Sequence, residues 1–136
     1  MKPIWVPRLL VAVACVHLAF GLFVLPSLFD GPNPLPGMLA FNSLNGDPVR
    51  EAVAWFNIAG LAWLAQAHFI FWIVRQTGRM PYAVGAWLAG TAAPMLFFMP
   101  MSGFWFALAL GIYALFVARK TEMAQNVAAP VALAVR

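Results

Sequence analysis

MPYAVGAWLAGTAAPMLFFMPMSGFWFALALGIYALFVA, the stretch from Met80 to Ala118, decides the fold: thirty-nine consecutive residues carry no charge, and Arg79 and Arg119 close the run at its ends. Wound as one helix it would be about 58 Å long, roughly twice the hydrocarbon thickness of a bilayer. It must therefore cross twice. The break is written in Phe98-Met99-Pro100-Met101-Ser102-Gly103. Pro100 has no amide with which to continue a helix, and Ser102 can accept a bond from the orphan amides of a new one. Two antiparallel helices joined by a short turn follow.

Working outward toward the N-terminus, Arg75-Gln76-Thr77-Gly78-Arg79 is a tight basic turn, preceded by twenty-three uncharged residues from Ala52 to Val74. Asp47 before Pro48 suits the start of that span, as a side-chain cap followed by a residue whose missing amide costs nothing in a first turn. Residues 30–51 form the one sizeable loop, rich in Pro, Gly and Asn, with Met38 to Leu44 long enough for a short interfacial turn of helix. Leu9 to Phe29 is a further twenty-one-residue uncharged run after a basic lead, with a Pro26 break near its far end. A cleaved signal peptide would have a shorter apolar region, so this run reads as a retained span. The expected fold is an all-α membrane protein, a four-transmembrane-helix bundle with spans at about 9–29, 52–74, 81–99 and 103–118, and a cytoplasmic tail at 119–136.

Composition agrees. Of 136 residues, 64% are hydrophobic and 9% charged, too few charges for an ordinary soluble domain. The net charge of +4 comes from cations scattered at the ends of apolar runs, which is the mark of topology and not of nucleic-acid binding. The one cysteine, Cys15, rules out an internal disulfide and sits two residues from His17, on another helix face, as a small apolar filler. With both termini in the cytoplasm, seven cations lie inside and only Arg50 lies outside, so the long loop and the Pro100 turn face the periplasm or cell exterior. Trp5, Trp72, Trp55 and Trp105 fall at the two interfaces as aromatic belts, and Trp63 and Trp87 fall deeper, as packing residues.

Spans in lipid associate over small residues and through a few polar contacts. Gly85, Ala89 and Ala93 on the third span, and Gly103, Ala107 and Gly111 on the fourth, are stepped by four and predict a close seam. No Asp, Glu, Lys or Arg lies inside a span, which argues against ion-coupled transport and a carboxylate-based membrane hydrolase. The polar groups at depth include His17, Asn57, Gln66, His68 and Tyr113. His17 and His68 lie at similar depths from the inner ends of their spans, so two imidazoles could take the axial positions of a haem b or share a metal. The commoner role for each is a bond to a backbone carbonyl that fixes helix register, and that reading comes first. Asn57 shares a helix face with His68, and Tyr113 can reach the inner layer with its hydroxyl. At the outer turn, Ser102 and Trp105 offer a hydroxyl and an aromatic wall to a ligand or partner, or serve simply as a cap and a belt residue.

His17-Leu18-Ala19-Phe20-Gly21, Asp47-Pro48-Val49-Arg50, Trp55-Phe56 with Gly60, the Gly78 to Pro81 turn, and above all Met99-Pro100-Met101-Ser102-Gly103-Phe104-Trp105 resemble an uncharacterised bacterial family of small four-span membrane proteins. The resemblance runs over residues 8 to 118 and implies a four-helix inner-membrane protein without implying an activity. His17 falls within the pattern, while His68 stands where a small or apolar residue is expected. The first functional reading is an accessory or scaffold subunit of a larger membrane complex or homo-oligomer, or a binder of a lipid, quinone or pigment. A haem or metal redox protein using His17 and His68 is the second. The third is an enzyme on a lipophilic substrate with His17, Asn57 or Tyr113 as acid-base groups, which needs a cavity between spans.

Overall fold

Each long uncharged run becomes a helix, because a backbone in an apolar setting can satisfy its amides and carbonyls only within itself. The computed structural model describes residues 2–25, 48–100 and 102–134. Helix α1 covers Trp5–Ala19 and runs on as a π-helical turn, Phe20–Val24. Helix α2 covers Pro48–Thr77, α3 covers Tyr82–Phe98 and α4 covers Phe104–Ala134, and among the described residues there is no strand. Three stretches are long and apolar enough to cross a membrane, namely Trp5–Val24, Arg50–Thr77 and Phe104–Met123. The fourth helix, α3, is apolar and has 17 residues.

Three helices run past the uncharged runs that announced them, and the first of these, α1, begins at Trp5, four residues before Leu9. α2 starts at Pro48 and ends at Thr77, so it is longer at both ends than the uncharged run that announced it. Glu51 in its first turn and Arg75 in its last complement the helix dipole, which lets the helix extend past the apolar residues. α4 does not stop at Arg119-Lys120 but continues through Pro130 to Ala134, so most of the tail is helical. Its continuation is rich in strong helix formers, and Thr121 Oγ1 bonds back to the carbonyls of Val117 and Ala118 at 3.1 and 2.8 Å. The Pro26 break, the Met38 to Leu44 turn and the Asp47 cap lie outside the described residues.

The chain divides into two compact units, residues 11–66 and residues 1–10 with 67–136. In the latter, Val6 and Leu10 of α1, Ala67, Ile70 and Val74 of α2, Leu88 of α3, and Leu110, Ala114 and Val117 of α4 form one apolar core, with Met80 beside them. α3 and α4 run antiparallel along a glycine seam. An added Cβ on Gly85 would lie 2.7 Å from the Leu115 amide nitrogen, and one on Gly111 would lie 2.9 Å from the Ala89 Cα. The expected ladder holds at Gly85, Ala89, Ala107 and Gly111, but Ala93 is exposed and Gly103 has open space around it. The buried residues of α3 are Gly85, Leu88, Ala92 and Leu96. A strict four-residue step drifts about 40° per step around a 3.6-residue helix, and Ala92 stays on the buried face where Ala93 leaves it.

The turn between α2 and α3 is fixed by Gly78, whose φ of 66° lies in the left-handed region and whose amide reaches the Val74 carbonyl at 2.9 Å. Thr77 Oγ1 donates to the Ile73 carbonyl at 2.8 Å and accepts from the Arg79 amide at 3.2 Å. At the opposite end of α3, Ser102 Oγ donates to the Met99 carbonyl at 2.6 Å and receives the Phe104 amide at 3.5 Å. That is the cap expected of Ser102. Trp87 is 69% exposed and is not the packing residue its depth suggested, because it faces away from the α4 seam.

Candidate functional site

Two polar residues of the apolar helices, His17 and Asn57, meet in the unit formed by residues 11–66, where the second half of α1 meets the first half of α2. His17 is half-buried, and its Nε2 lies 3.0 Å from the Phe56 carbonyl oxygen. A carbonyl can only accept, so Nε2 carries the hydrogen of this bond. The imidazole lies flat on the Phe56 ring, with centroids 3.7 Å apart and planes 11° from parallel, and Trp63 flanks it at 5.1 Å. Gly60 makes room for this approach. A Cβ there would lie 2.7 Å from the Leu18 Cδ2 and 3.0 Å from the His17 Cδ2.

One turn along α1 the second contact forms. Asn57 Nδ2 donates to its own-helix carbonyl of Val53 at 2.9 Å and across to the carbonyl of Gly21 at 3.3 Å. Gly21 belongs to the π-turn, where the Leu25 amide reaches back five residues to the Phe20 carbonyl. Such a turn widens the helix and loosens the regular ladder at this level. Asn57 Oδ1 is buried without a hydrogen-bond partner, and it would lie 2.5 Å from a Cβ on Gly21. It therefore faces the Gly21 Cα hydrogen, the weak donor often found where helices touch over glycine. Phe56 crowds the same spot, 2.8 Å from that Cβ position.

Sequence reading matches His17 to His68 in depth and puts Asn57 on the His68 face of its helix; the structure instead brings His17, Gly21 and Asn57 into one bracket. It adds Phe56, Gly60 and Trp63, of which only Gly60 carried a usable signal, a glycine one turn beyond an aromatic inside an apolar helix. The π-turn was not legible. His68 is exposed on α2 and belongs to the other unit. Gln66 is exposed as well, and Cys15 is exposed and does not fill the interior. Tyr113 is half-buried against the core of its own unit. Trp105, 57% exposed, donates its Nε1 hydrogen to the Pro100 carbonyl at 2.8 Å and so ties the turn between α3 and α4. Among the described residues no group of three or more His, Cys, Asp or Glu gathers as a metal site. What the bracket does chemically is bind helix to helix through carbonyls that an apolar environment leaves no other way to reward.

Three membrane-length apolar helices, a short fourth one, and polar side chains turned on backbone carbonyls define an all-helical protein suited to a bilayer. The chain belongs to the family of unknown function DUF6463, whose model matches residues 1–122. No curated protein and no solved structure matches the chain.

Proposed function

We propose that this is a four-span protein of the bacterial inner membrane, with both termini in the cytoplasm, acting as an accessory or scaffold subunit of a larger membrane complex. One observation carries the reading: His17 and Asn57 direct their side chains across to carbonyls of the facing helix, His17 to that of Phe56 and Asn57 to that of Gly21. Polar groups used this way hold helices together and set their register. Outward surfaces carry large apolar side chains, among them Phe23, Trp55, Phe69 and Phe116, each at least 60% exposed, as lipid or a partner helix would require.

Affinity purification from native membranes in a mild detergent tests the proposal. A partner protein at fixed stoichiometry, retained at increasing detergent, is the expected result. A monodisperse monomer without any co-purifying protein would sink the subunit reading, and a bound quinone, pigment or lipid in that monomer would move the function to apolar-ligand binding.

A further inference from the structure

Charge is divided unequally along this chain. Residues 1–10 and 67–136 hold seven cations against one carboxylate, Glu122, whereas residues 11–66 hold Arg50 against Asp30, Asp47 and Glu51. Within the cationic unit the described positive side chains are Lys2, Arg8, Arg75, Arg79, Arg119 and Lys120, and all six are exposed. None of them forms an ion pair among the described residues. They are also gathered in space. Arg8 lies two residues from Val6 and Leu10, Arg75 follows Val74, Arg79 precedes Met80, and Arg119 follows Ala118, and these five apolar residues belong to one packed core. The cations therefore collar one end of that core.

Two of them already sit over aromatic rings. The Arg75 guanidinium carbon sits 4.8 Å over the Phe71 ring, and that of Arg8 sits 5.3 Å over Trp5. A guanidinium attracted to a ring in this way still has N–H donors to spare, and a guanidinium fork can grip two oxygens of a phosphate. α3 also begins at this end, and the first amides of a helix, together with its dipole, favour an anion.

We propose that this collar is a binding surface for the phosphate headgroup of an anionic phospholipid, with Arg8 and Arg75 supplying forked contacts and the remaining cations supplying field. The assignment rests on the membrane reading above. An acidic protein would match the charge alone, but the surface directly below the collar is apolar and aromatic, with Trp5 and Trp72 49% and 57% exposed. Charge over an aromatic belt over hydrocarbon is the profile of a lipid and not of a soluble acidic chain.

The full chain is reconstituted into vesicles of equimolar phosphatidylglycerol and phosphatidylcholine, floated, extracted in neutral detergent and examined by native mass spectrometry for retained lipid. Phosphatidylglycerol should be enriched at least about fivefold over the vesicle ratio, and R8Q/R75Q should return it to that ratio. R8K/R75K keeps every charge, and thus insertion and orientation, but lacks the fork, and should lose at least about half of the enrichment. Retention by the wild type at the vesicle ratio, or equal enrichment in wild type and both variants, would overturn the proposal. A wild-type protein that fails to float and stays soluble without detergent would instead overturn the membrane reading itself.

Discussion

Asn57 and Gly21 are the most exacting pair of residues in this chain, because one polar side chain is matched to the absence of another side chain. Gly21→Ala would put a methyl group 2.5 Å from Asn57 Oδ1 and 2.8 Å from Phe56 Cδ1, and one of the two must shift. A cost of about 1–3 kcal/mol is expected, as for other overpacked interiors. Asn57→Ala removes two donated bonds and should cost about 1 kcal/mol, the usual scale for a side-chain bond between membrane helices. The double variant removes the first clash but not the Phe56 contact, so its loss should be smaller than the sum of the single losses by about 0.5 kcal/mol or more. Unfolding titrations in mixed micelles measure all three, and strict additivity would mean that Gly21 and Asn57 do not touch. His17 and Gly21 were recognisable from sequence as a polar residue beside a small one. Their partner Phe56 was not, since an aromatic residue in an apolar helix looks the same whether it stacks on an imidazole or faces lipid.

At the scale of elements, the α3–α4 seam distinguishes glycines that touch backbone from glycines that touch nothing. A Cβ on Gly111 would press on the Ala89 backbone, with its Cα at 2.9 Å, and backbone cannot swing aside as a side-chain tip can. A Cβ on Gly90, in the middle of the same α3, would meet nothing within 4 Å. Gly111→Ala should therefore destabilise the protein by about 2 kcal/mol or more, while Gly90→Ala should be neutral or stabilising by up to about 1 kcal/mol through helix propensity. Thermal unfolding of the two variants in one detergent decides the matter. Equal effects would show that α3 and α4 are not in close contact at Gly111. The number of helices and their turns were legible because uncharged length and Pro, Gly and Ser punctuation are local signals. The buried face of α3 was only half legible. Small residues occur all round that helix, and nothing local separates Ala92, fully buried, from Ala93, exposed. The continuation of α4 was hidden by Pro130, a residue that weakens a helix without always ending it.

For the whole molecule, the proposed direction across the bilayer rests on length and charge together. From Phe104 to Ala118, α4 rises about 21 Å, less than the roughly 30 Å of hydrocarbon, so in the proposed bilayer placement Arg119 and Lys120 extend their side chains along the helix to reach the headgroups. Residues that have to stretch toward phosphate settle more firmly on the leaflet that retains positive charge, and six cations besides Arg136 stand at the same end of their unit. Reporter fusions after Arg136 and within residues 38–44 read this directly. An enzyme reporter active only in the cytoplasm should work at Arg136, and one active only outside should work in the loop. Replacing Arg75, Arg79, Arg119 and Lys120 by Gln removes four of the seven inside charges and leaves Arg50 as the single outside one, so a mixed population of orientations is expected, with both reporters active in each position. A wild-type chain whose C-terminal fusion is active outside would reverse the proposed orientation, and would also put the cationic collar on the outer leaflet.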